Sequence, residues 1–289
     1  MFTPRERSRL RSELVELAAN DTRLSGVAIT GSAAGDCEDR WSDIDLAFGV
    51  ADVHTMEAVL SDFTASMYDR YQAIHHLDIR AGAWIYRVFF LPGTLQVDLA
   101  FVPSVEFRPL GPTFRLVSGR ANPLQPLAVP EPKYFIGMGW LYALHARSCI
   151  LRRKPWQAEY MISAVRDHAL TLVCMRLGLP SAHGRGMDLV PDSIKKRLSG
   201  SFVQRLEPDE LWCALDVAIR GLLDEIHRAD EDFAARIHGD ILQVSRQPSE
   251  SPEPGWIQFL GHTVTSETRA VHDGERKVHP SRLARQAAP

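Results

Sequence analysis

Apolar positions recur along this chain at two different periods, and the change from one to the other divides it. In the first part, RERSRLRSELVELAA at 5–19 places Leu10, Leu14, Leu17 and Ala18 three and four residues apart, which predicts an amphipathic helix that Asn20 or Asp21 can end. A short strand, GVAIT, then runs into Gly31-Ser32. The next segment, DIDLAFGV at 43–50, alternates with period two, and DVHTMEAVLSDFTASMYDRY returns to helical spacing through Met56, Leu60, Phe63 and Met67. Three more segments, AIHHLDIR, WIYRVFFL and TLQVDLAFV, are rich in branched and aromatic residues. Only Pro92-Gly93 separates the last two, a turn pair that predicts a hairpin and hence a mixed sheet with an antiparallel edge.

From about Pro103 to Pro132 the chain is rich in Pro and Gly without sustained periodicity, and it reads as a connection between domains. Beyond it the spacing is helical throughout, with helices expected at 133–152, 156–177, 191–199, 208–228 and 230–244. The pattern gives an α/β (α+β) protein: a small mixed sheet with flanking helices over 1–105, a connecting segment at 106–132, and a helical bundle at 133–245. RQPSESPEP opens a linker and tail at 246–289, whose main apolar cluster is Trp256-Ile257 with Phe259-Leu260.

Composition narrows the class. With 289 residues, 45% hydrophobic and 24% charged, the chain is an ordinary globular protein and is neither collagen-like, disordered nor a disulfide scaffold. Its 33 Lys and Arg against 36 Asp and Glu give a net charge of -3, which argues against a general nucleic-acid binder. Four isolated cysteines, Cys37, Cys149, Cys174 and Cys213, fit a reducing compartment and small buried side chains. The charged N-terminus lacks the apolar core of a signal peptide. Arg87, Pro92, Gly93 and Asp98 interrupt the stretch from Trp84 to Pro103, so no membrane association is expected and the location is read as cytoplasmic.

The chemistry lies in GVAITGSAAGDCEDRWSDIDLAFGV. Period-two geometry puts Asp43 and Asp45 on one face of a strand and Ile44, Leu46, Phe48 and Val50 on the other. Two neighbouring carboxylates repel each other, so such a pair suits a shared divalent cation. An all-oxygen donor set without Cys or His favours magnesium over zinc. Asp98 is a third acid on a core-like strand, in phase with Gln96 and Ala100; if its strand lies beside that of Asp43 and Asp45, the three converge. Gly31-Ser32, followed by Ala33, Ala34 and Gly35, offers backbone N–H groups and a hydroxyl where a phosphate can approach without meeting a Cβ.

In these parts the chain resembles the polymerase-β-like nucleotidyltransferases, whose mark is Gly-Ser after the first strand, then Asp-x-Asp, then a later third acid. Gly31-Ser32, Asp43-Ile44-Asp45 and Asp98 match all three over about the first 105 residues. The helical second half is similar in architecture to the C-terminal domains of the small-molecule branch, the aminoglycoside-type antibiotic nucleotidyltransferases. The resemblance implies that Asp43 and Asp45 bind two Mg²⁺ ions, that Asp98 is a third ligand, the general base or both, and that Gly31 and Ser32 hold the nucleotide phosphates. It implies ATP or another nucleoside triphosphate as donor, a small hydroxylated acceptor such as an antibiotic, and pyrophosphate as product.

In the helical half, Glu159 and Arg166 are seven apart on one helical face and are candidate acceptor-binding residues; an ordinary solvated charge ladder is the competing reading. His75 and His76 are adjacent on a strand, point to opposite sides, and read as structural. Two rivals stand beside the small-molecule transferase: a nucleotidyltransferase acting on protein or RNA, and a non-catalytic nucleotide-binding or antitoxin-like relative of the same fold.

Overall fold

The computed structural model describes residues 2–125 and 130–247, which form two compact units divided between those ranges. The first is a six-stranded sheet with helices; the second is helical.

The first unit opens with α1 (Pro4–Ala19), started by a capping box in which Thr3 and Glu6 satisfy each other's backbone N–H groups. Then come β1 (Leu24–Thr30), the one-turn α2 (Gly31–Ala34), β2 (Ile44–Val50), α3 (Met56–Asp69), β3 (His75–Ala81), β4 (Trp84–Leu91), β5 (Leu95–Pro103) and β6 (Phe114–Gly119). The spatial order is β3-β4-β5-β2-β1-β6, with β2 and β5 parallel and every other neighbouring pair antiparallel. This is the mixed sheet expected from the sequence, and Pro92–Thr94 makes the predicted turn between β4 and β5.

One face of the sheet is buried by the two helices. Ile44, Leu46 and Phe48 of β2 and Val97, Leu99 and Phe101 of β5 pack with Leu14 of α1 and Phe63 of α3. Phe48, Phe63 and Phe101 meet with ring centroids 5.1–5.5 Å apart. On the other face Phe107 covers the far ends of β1 and β2; a Cβ at Gly26 or Gly49 would collide with its ring, which is why both positions have none. Ala28, Ala47, Ala100 and Val102 lie on the same face, with Ala47 and Ala100 side by side in register.

The structure corrects the reading of 106–132 as connection alone. Within it β6 pairs along β1, so the sheet extends beyond residue 105. It also adds two exposed cysteines to the picture: Cys149 and Cys174 are buried, but Cys37 and Cys213 are not.

The second unit holds α4 (Pro132–Leu151), α5 (Pro155–Arg176), α6 (Asp192–Leu198), α7 (Pro208–Ala229) and α8 (Glu231–Val244), each close to its expected bounds. Proline occupies the first helical turn of α4, α5 and α7, where its missing N–H costs nothing. Ala143 and Ala146 of α4, Ile162 and Val165 of α5, and Leu215 and Ile219 of α7 form the centre of its own core. Among the described residues no helix is long and apolar enough to cross a membrane. The tail assigned to 246–289 lies outside the described residues from 248 onward.

Candidate functional site

The two acid-bearing strands are neighbours. β2 and β5 run parallel with Asp45 directly opposite Asp98, so the alternation that buries Leu46 and Leu99 on the helix side puts both carboxylates on the other side. Asp43 precedes the first paired residue of β2 and joins them from the incoming loop. One carboxylate oxygen from each of Asp43, Asp45 and Asp98 lies within 4.8 Å of the others, and all three side chains are half-buried.

This arrangement is costly for the protein by itself. Two unit charges about 5 Å apart repel by about 3 kcal/mol at an effective dielectric of 20. The strain shows at Asp98, whose carboxyl is pushed up to about 6, first by burial and further by the nearby Asp43. A hydrogen bond from Gln96 Nε2 to Asp98 Oδ1, 2.9 Å, works against the rise without reversing it. Three converging carboxylates with no His or Cys among them form a hard, all-oxygen donor set, which fits a divalent cation of the magnesium class.

The turn that follows β1 closes on the acids. Gly31 has φ +62, and a Cβ on it would overlap the Asp45 carboxylate, so both the backbone conformation and the contact require glycine. Ser32 Oγ is buried and has no hydrogen-bond partner, an arrangement that suits a polar ligand atom beside the acids. Arg115 of β6 donates through Nη2 to the Ala33 carbonyl at 2.9 Å and pairs with Asp36 at 3.1 Å, fastening α2 to the sheet edge. Sequence reasoning missed Arg115 because its segment carries no readable alternation.

Arg7 was missed as well. It occupies the apolar stripe of α1 in phase with Leu10, Leu14 and Ala18, and all four are buried. A charged residue in that phase is the signal that it had an interior partner.

Glu159 and Arg166 both lie on α5, and each has a partner in its own unit. Ser163 Oγ donates to Glu159 at 2.7 Å; Arg166 pairs with Asp167 at 3.0 Å and lies over the Phe202 ring, 4.4 Å from its centroid. Of the two histidines on β3, His75 is exposed, while His76 is half-buried with Nδ1 2.9 Å from the Tyr68 hydroxyl. A cavity of about 550 Å³ lined by Leu10, Glu13, Tyr71 and Leu91 opens on the helix side of the sheet, away from the acids.

In strand arrangement and acid placement the first unit has the mixed sheet and the converging acids that the sequence predicts. No family model matches this chain, and no curated protein matches it. Among solved structures, an aminoglycoside 6-adenyltransferase from Bacillus subtilis is similar to 86% of this chain over 100% of its own length, at 13% identity and a TM-score of 0.36.

Proposed function

We propose that the protein is a magnesium-dependent nucleotidyltransferase that moves a nucleoside monophosphate, AMP from ATP, onto a hydroxyl of a small molecule. One observation carries the reading: carboxylate oxygens of Asp43, Asp45 and Asp98 gather within 4.8 Å beside a glycine-serine turn that abuts Asp45. Asp43 and Asp45 would hold the cations, and Asp98 would be a third ligand, a base, or both. Bound there, two such ions neutralise phosphate charge and favour in-line displacement at phosphorus.

The chain's own groups supply the rest. Gly31 and Ser32 bind the terminal phosphates through backbone N–H groups and the orphaned hydroxyl. The acceptor oxygen bonds to the α-phosphorus, the bond to the β-phosphate oxygen breaks, and pyrophosphate departs. The acceptor proton passes to a carboxylate oxygen of Asp98. On the helical unit, Glu159 and Arg166 are the proposed acceptor contacts, and a cationic, aminoglycoside-like molecule is the acceptor class that the resemblance favours.

The test is pyrophosphate release from labelled ATP and Mg²⁺ with a panel of aminoglycosides, lincosamides and tRNA. Release with one small acceptor, abolished by Asp45→Asn, is expected. Release with tRNA alone moves the activity to RNA, and silence with every acceptor together with tight nucleotide binding favours the non-catalytic relative.

A further inference from the structure

We propose that Arg7 is a positioning residue for the cation site: its guanidinium fixes the loop that presents Asp43. The inference rests on the metal-binding role proposed above for the three acids and adds a residue outside them.

Asp45 and Asp98 are held by the sheet, because both lie within the paired register of β2 and β5. Asp43 is not, since pairing begins at Ile44 opposite Val97. Its position depends on the loop from Gly35 to Ser42. Part of that loop is tied to itself: Asp39 Oδ1 accepts from the Trp41 backbone N–H at 2.8 Å and from Ser42 Oγ at 3.1 Å, and Ser42 Oγ accepts from the Asp39 N–H at 2.9 Å. This is a side-chain-stabilised turn and does not anchor the loop to the rest of the protein.

Arg7 provides that anchor. Its side chain is 4% exposed, and burying a guanidinium in the apolar stripe of α1 is expensive unless its donors are met. Nη1 donates to the Asp39 carbonyl at 2.7 Å and to the Ser42 carbonyl at 2.9 Å, gripping both ends of the turn. Nε lies 3.2 Å from Glu38 Oε1, an ion pair without hydrogen-bond alignment, and Arg11 pairs with the same carboxylate. The Ser42 carbonyl belongs to the planar peptide unit that contains the Asp43 N–H, so holding that oxygen sets the direction in which the chain enters Asp43. A lysine at this position keeps the charge but lacks the rigid fork.

The experiment measures Mn²⁺ affinity by electron paramagnetic resonance on the full-length protein. R7M and R7K are compared with D43N and with R9M, a change on the exposed side of the same helix. Loss of an outer-shell support typically lowers metal affinity about 10–100-fold, so R7M is expected to weaken Mn²⁺ binding by about tenfold or more. R7K should weaken it by a smaller factor, R9M should leave it unchanged, and R7K added to D43N should cause no further loss. A merely structural role would lower the urea midpoint without moving Mn²⁺ affinity. Wild-type affinity in folded R7K and R7M, with affinity lost in D43N, overturns the role of Arg7 alone; R7K decides if R7M does not fold. Wild-type affinity in D43N overturns the metal reading itself.

Discussion

Asp98 stands next to Asp45 because two parallel strands put equivalent positions side by side, and its Oδ1 accepts a hydrogen bond from Gln96. A site that repels itself is less stable empty than its neutral variant. Asp98→Asn should therefore stabilise the metal-free protein by about 1–3 kcal/mol at pH 7 while removing activity, because it keeps the shape and deletes one of three crowded charges. Urea denaturation in chelator checks this, and a destabilised variant would show that Asp98 has a structural partner. Gly31→Ala should act in the opposite direction. A side chain at φ +62 costs about 1 kcal/mol, and its Cβ must displace the Asp45 carboxylate, so both stability and turnover should fall. At this scale Asp43, Asp45, Asp98, Gly31 and Ser32 were legible in the sequence, because an acid on a core-like strand is out of place without a reason. Arg7 was equally out of place among Leu10 and Leu14, but an arginine on a surface helix draws no attention until its burial is known.

Elements were legible where one of their faces is buried. β2 and β5 alternate cleanly because α1 and α3 cover one side of them, and the helices of the second unit declare themselves by the same logic. β6 did not, since it lies at the sheet edge with Arg115, Leu116 and Val117 all exposed and thus has no contrast between faces. The parallel pairing of β2 with β5 was also beyond local pattern, because α3, β3 and β4 intervene between them. Those intervening elements are tied together by one group. Arg87 of β4 makes a two-pronged pair with Asp78 of β3, both contacts 2.7 Å, and donates to Thr64 Oγ1 of α3 at 2.7 Å. The pair is mostly shielded, and Arg87 holds the Asp78 carboxyl below the usual range of 3.8. A lowered folded-state value means that the contribution is present above the unfolded value and disappears as pH falls through the folded one. Arg87→Met should lower stability by about 2 kcal/mol at pH 7, and the difference from wild type should shrink as pH falls below about 4. Melting curves across pH 3–7 check both parts; a constant difference would assign the loss to packing alone.

The main core of each unit shares no residue with that of the other. One is built on the sheet face of α1 and α3, the other from α4, α5, α7 and α8. Residues 130–247 expressed alone should accordingly give a helical spectrum and a cooperative melt, and should bind no Mn²⁺. A molten, non-cooperative fragment would mean that the helical unit needs the first to fold. The proposed chemistry depends on the acids of the first unit acting together on a cation. Anomalous diffraction from crystals of the full-length protein grown with Mn²⁺ and a non-hydrolysable ATP analogue tests this most directly. Manganese peaks bounded by Asp43, Asp45 and Asp98, with the analogue's terminal phosphates at Gly31-Ser32, are predicted. Nucleotide bound elsewhere, or no manganese within coordinating distance of those three carboxylates, would contradict it.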